Sequence, residues 1–145
     1  MNKKKFIKSL VLILWMGIIF AFSSQANSGT TTQNILEASL PFFELQLIET
    51  LNFIIRKLAH LTEYFILTLL VVSLLKEYTK SERKIIILSL IFCFLYACTD
   101  EYHQSFISGR TATLRDVFID TTGGIIYLII YYFSKTKLNF STKKC

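Results

Sequence analysis

Four apolar runs constrain this chain more than any other feature: Phe6 to Phe22, Leu58 to Leu75, Ile85 to Thr99 and Val117 to Phe133. Each is near the length that a bilayer-spanning helix requires. Of the 145 residues, 52% are apolar and only 18% charged, and one small soluble core cannot bury that much apolar side chain. In hydrocarbon every backbone polar group needs a partner within the segment, so spans of this kind are helices. The expected fold is all-α: four transmembrane helices in a single domain over residues 1–145, with an interfacial helix on the extracytoplasmic side between the first and the second. The two later runs are short for a span, so their helices are expected to extend into the polar flanks or to sit in thinned lipid.

Orientation follows from the basic residues. Twelve of the sixteen Lys and Arg lie before or at the start of the first run, between the second and third, or after the fourth, and eight of the ten acids lie on the other side. The positive-inside rule then places both termini in the cytoplasm of a multi-pass cell-membrane protein, with the acidic side facing out. The net charge of +6 is a topology signal with an affinity for anionic lipid, not a nucleic-acid footprint. Cys93 and Cys98 fall within the third run and Cys145 ends the chain, a placement that suggests neither a disulfide nor a metal knuckle.

Two readings of the first run stay open. It is a retained helix, or it is a signal peptide cleaved after Ala26. Ser23 to Gln33 reads as a polar, solvated linker. Ile35 to Ile55 reads as the interfacial helix, started near Pro41, with Leu45, Ile48, Leu51 and Ile55 on one face, running directly into the second span.

Polar groups inside apolar segments carry the functional information. Arg56, His60, Glu63 and Leu67 follow one another at helical spacing, so His60 and Glu63 are neighbours on a face that turns toward a bundle interior or a wet cavity. Asp100, His103 and Gln104 share a face at the end of the third run, beside Glu101, and Ser108-Gly109 reads as the break after it. Arg110 and Arg115 flank the return. Asp116 and Asp120 lie one turn apart at the start of the fourth span, where Asp116 also suits a cap, and Gly123 and Gly124 permit close helix approach.

These residues, taken in order, resemble a family: Phe22-Ser23-Ser24-Gln25, Arg56-Lys57-Leu58-Ala59-His60 with Glu63-Tyr64, Asp100-Glu101-Tyr102-His103-Gln104 with Phe106, Gly109-Arg110, Asp116 and Asp120-Thr121-Thr122-Gly123. The set is similar to the VanZ-like membrane proteins and covers nearly the whole chain from Phe22 to Gly124. Ser108 departs from the Pro that relatives often carry before the Gly-Arg pair. The resemblance implies a Gram-positive cell-envelope protein tied to teicoplanin-type glycopeptide resistance. The partners it implies are membrane lipid and a lipid-linked wall precursor or lipoglycopeptide antibiotic.

The polar residues come from three distant parts of the sequence and converge on the outer half of the bundle. In an enzyme reading, His60 or His103 is the general acid or base, Glu63, Asp100 or Glu101 orients it, and Arg56 with Arg110 holds a lipid phosphate. Ser23, Ser24, Gln25, Lys57, Tyr64, Gln104, Asp116 and Asp120 complete the binding surface. In the alternative, the same residues form a non-catalytic interhelical hydrogen-bond network. A metal reading takes third place: His60 with Glu63 and Asp100 with His103 have i, i+3 spacing, and Asp116 and Asp120 could add oxygen ligands, but the order does not repeat as a duplicated Glu-x-x-His unit would. No cofactor and no metal are assigned. A transporter is disfavoured by the lack of an internal repeat.

Overall fold

The computed structural model describes residues 2–26, 28–107 and 113–142. Its helices are α1 (Lys3–Ser23), α2 (Ser28–Ser39), α3 (Leu45–Leu75), α4 (Glu82–Gln104) and α5 (Leu114–Thr142). Among the described residues there is no strand. Four of the helices, all but α2, are long and apolar enough to cross a membrane. Their outward faces fit that environment. Ile13 and Leu14 of α1, Leu95 of α4 and Phe118 of α5 are between 57% and 65% exposed, a distribution that costs nothing in lipid and much in water.

The helices are longer than the apolar runs because polar residues close their ends. Asn2 accepts from the Lys4 amide at the start of α1, and Ser81 from the Lys84 amide at the start of α4, the ordinary work of N-caps. Thr113 caps α5: its hydroxyl accepts from the Asp116 amide at 3.2 Å, and its own amide donates to Glu101 Oε2 at 3.0 Å. Asp116 is therefore not the cap.

The segment between the first two spans departs from expectation. Residues 28–33, read as a solvated linker, lie in α2, and the single helix expected over Ile35 to Ile55 is two. Pro41 lies in the turn that separates them. A proline disfavours helical backbone in the residue before it, so α2 ends at Ser39, and α3 starts after Glu44 and continues unbroken into the span.

α3 is the hub, packed against each of the other four helices. Tyr64, Leu67, Val71 and Val72 form its buried stripe, meeting Leu12 and Ile19 of α1, Cys93 and Ala97 of α4, and Val117 and Leu128 of α5. α1 is held along its length. Trp15 Nε1 donates to the Glu63 carbonyl at 3.1 Å, and Tyr96 of α4 donates to the Met16 carbonyl at 2.7 Å.

At the end of the bundle that carries the termini, Lys8 reaches Glu77 at 2.6 Å and the Ser73 carbonyl at 3.0 Å, and Glu82 accepts from Tyr131 and from Lys135. The Lys8 hydrogen bond holds the Glu77 carboxyl below the usual carboxylate range. A depressed folded value means that this tie contributes at neutral pH and is lost as pH falls through that value.

Candidate functional site

At the opposite end, α3, α4 and α5 enclose a cavity of about 310 Å³ lined by Phe53, Arg56, Lys57, His60, Glu101, Gln104, Thr113, Arg115, Asp116 and Asp120. A second, of about 270 Å³, lies toward α1 and α2, with Phe22, Ser23, Gln25, Thr32, Ile55, Arg56, Ala59, His60 and Glu63 in its wall. Arg56 and His60, one helical turn apart on α3, belong to both. They form the partition between the two spaces.

The rim of the first cavity is charged on both sides. Lys57 forms an ion pair with Asp116, tying α3 to α5, and its ammonium also stands 5.5 Å from the Phe53 ring. Arg115 is exposed at the mouth. Arg56 lies against α2, where a Cβ on Gly29 would meet its guanidinium at 2.8 Å, and Asn52 donates to the Gly29 carbonyl at 2.9 Å. Glycine at position 29 lets the guanidinium lie directly on the α2 backbone. The Lys57–Asp116 pair is about three-quarters buried, between the exposed and buried regimes, so Lys57→Met is expected to cost about 1–2 kcal/mol. Thermal melts of Lys57→Met and of Lys57→Met/Asp116→Asn check this: the double variant should regain part of the loss, because no unpaired carboxylate remains.

The floor is carboxylate and imidazole. His60 Nδ1 lies 3.5 Å from Asp120 Oδ1. Asp100 accepts from Gln104 Nε2 at 3.0 Å. Asp100, Glu101, Gln104 and Asp120 are all buried, as is Tyr64, whose ring fills the space beneath them. The His60 partner is thus found in α5, sixty residues away, in addition to its neighbour Glu63 in the wall of the second cavity.

Of the residues expected at the site, Arg56, Lys57, His60, Glu101, Gln104, Asp116 and Asp120 line the first cavity, while Ser23, Gln25 and Glu63 line the second. Asp100 and Tyr64 lie just below the first. Two stand apart. Ser24 caps α1 by donating to the Phe20 carbonyl at 2.6 Å, and His103 packs its ring on Phe20 with centroids 4.1 Å apart, joining α4 to α1. Arg110 falls in residues 108–112, outside the described residues, as do Ser108 and Gly109. Arg115 and Thr113 were not singled out as binding residues. Arg115 was legible as a cation beside the return, but Thr113 gave no signal because its role is to cap a helix whose start the apolar run did not mark.

A bundle of four long apolar helices with two polar cavities at one end is the architecture of a multi-pass membrane protein. The sequence model of the VanZ/LLP1 family matches residues 8–135, nearly the whole chain, and the protein belongs to the VanZ family. No curated protein and no solved structure shows significant similarity to it.

Proposed function

We propose that the protein binds the phosphate-bearing head group of a membrane lipid or lipid-linked wall precursor in the first cavity, at the outer face of the cell membrane, and that this underlies teicoplanin-type resistance. One observation carries the reading. A cavity of about 310 Å³ with Arg56, Lys57 and Arg115 in its wall lies at the end of the bundle away from the basic termini. That volume is at the small end of ligand pockets, suited to a head group rather than to an acyl chain, and guanidinium groups match phosphate oxygens in charge and geometry.

The outward orientation rests on the distribution of Lys and Arg, which clusters at the other end. An interfacial position for α2 and the turn after it is supported by Phe42 and Phe43, 98% and 52% exposed in that turn, because aromatic rings favour the head-group boundary. Chemistry on the bound group falls to the floor, where His60 and Asp120 face each other. The alternative of a purely structural network draws support from the Glu101–Thr113 and Lys57–Asp116 contacts, which join helices and need no ligand.

The test is teicoplanin and vancomycin susceptibility of a sensitive Gram-positive host expressing wild type, Arg56→Ala, Arg115→Ala or His60→Ala, with membrane abundance measured for each. Loss of one Arg–phosphate contact, about 1.4 kcal/mol, weakens head-group affinity about tenfold. Wild type is expected to protect against teicoplanin and the variants to fall to the empty-vector level at equal abundance. Equal protection by all of them assigns the polar cluster to the structural network.

A further inference from the structure

Three helices each bring one donor to the floor of the first cavity: His60 from α3 and Asp120 from α5 in its lining, and Asp100 from α4 just beneath it. One ligand atom of each lies within 4.8 Å of the other two. Asp100 and Asp120 are 3% and 1% exposed, and two carboxylates that dry need compensating positive charge.

A second observation, outside the cluster, points to a ligand. Tyr64 is fully buried, its hydroxyl has no hydrogen-bond partner among the described residues, and it lies within Coulombic range of both Asp100 and Asp120. Asp120 Oδ2 is likewise buried with no hydrogen-bond partner among the described residues. Buried hydroxyl and carboxylate oxygens are satisfied by protein, water or an ion. The His60–Asp120 separation of 3.5 Å is long for a hydrogen bond, but it is close to the edge, about 3.4 Å, of a tetrahedron of donors with bonds of about 2.1 Å to one metal.

We propose that His60, Asp100 and Asp120 bind a single divalent first-row cation of the Zn²⁺ or Mn²⁺ type, next to the Tyr64 hydroxyl and with a coordination position open to the cavity. The imidazole selects this class over Mg²⁺ and Ca²⁺, which take oxygen donors. Three protein donors with one open position is the arrangement of metal sites that act on a ligand rather than of closed structural ones. A phosphate oxygen or a water fits that position, and this use rests on the head-group reading. The metal site itself does not.

The experiment uses the full-length chain, purified through a tag free of histidine, reconstituted in phospholipid nanodiscs, stripped with chelator, equilibrated with micromolar Zn²⁺ or Mn²⁺ and desalted. Elemental analysis is expected to find about one ion per wild-type chain, about tenfold less or lower still in His60→Ala, Asp100→Asn and Asp120→Asn, and an unchanged content in Glu49→Gln, an exposed acid that lines neither cavity. Metal should also raise the melting temperature of wild type, reversibly with chelator, and leave Asp120→Asn unmoved. A wild-type protein that retains no ion overturns the proposal and leaves the two carboxylates sharing a proton, as does a set of variants that keep the wild-type content. One ion per chain together with no binding of phosphate-bearing lipid keeps the metal site and discards the head-group reading.

Discussion

Gly123→Ala is expected to prevent assembly of the bundle, with little monodisperse protein recovered from membranes. A Cβ at this position would lie 2.2 Å from the Leu61 carbonyl oxygen and 3.0 and 3.2 Å from the carbonyl carbon and Cα of the same residue. These are backbone atoms in the middle of α3, so no side-chain rotation relieves the clash, and α3 and α5 must separate. In lipid, association of helices depends on such close packing because burial from water supplies little drive between them. The cost is about 3 kcal/mol or more, large against the stability of a small domain.

The displacement would also reach the site, because Asp120 stands one turn above Gly123 and its partner His60 is adjacent to Leu61. Size-exclusion profiles and thermal melts in detergent read the effect. Gly124→Ala gives the comparison. Its Cβ meets Cys93 Sγ at 2.5 Å and Thr68 Oγ1 at 2.6 Å, both ends of side chains, so the loss should be smaller and partly restored by Cys93→Ala. Equal melting temperatures for Gly123→Ala and wild type would mean that the two helices are not in contact there.

The second large effect concerns Tyr64, the largest fully buried side chain of the bundle. Tyr64→Ala removes a ring from the core cluster shared by α1, α3, α4 and α5, where it faces Tyr96 with centroids 6.2 Å apart, and should cost about 3–5 kcal/mol. Tyr64→Phe keeps the ring and deletes a hydroxyl that has no hydrogen-bond partner among the described residues. Removing a buried unsatisfied group relieves its desolvation penalty, so the metal-stripped Phe variant should melt at or above wild type, by up to about 1 kcal/mol. The two variants together separate packing from polarity. A stripped Tyr64→Phe protein that melts well below wild type would show that the hydroxyl is satisfied in the fold without an ion.

Much of the fold was legible because its causes are local. The spacing and length of apolar residues mark a span whatever lies beside it, and Gly123-Gly124 within an apolar run marks a close approach whichever helix makes it. The segment from Ser28 to Leu45 was not legible. Its hydroxyl and amide residues are turn formers on propensity, and α2 is held as a helix against α3 by Asn52 and Arg56, which lie more than twenty residues away. The proline was read as a start where its effect on the preceding residue made it a stop.

The site divides in the same way. Sequence alone determined that the chain is helical and spans a membrane, that its basic residues gather at one end, and that carboxylates, imidazoles and guanidiniums gather at the other. Those facts follow from composition and period, which a single segment carries. Only the tertiary structure decided which of these groups meet. It put His60 against Asp120, set Asp100 beside them, gave Lys57 to Asp116, and turned His103 and Ser24 to packing and capping. The physical reason is that partners on different helices are chosen by the rotation and depth of each helix in the bundle, and these are fixed by contacts such as Gly123 on Leu61 that no single segment contains.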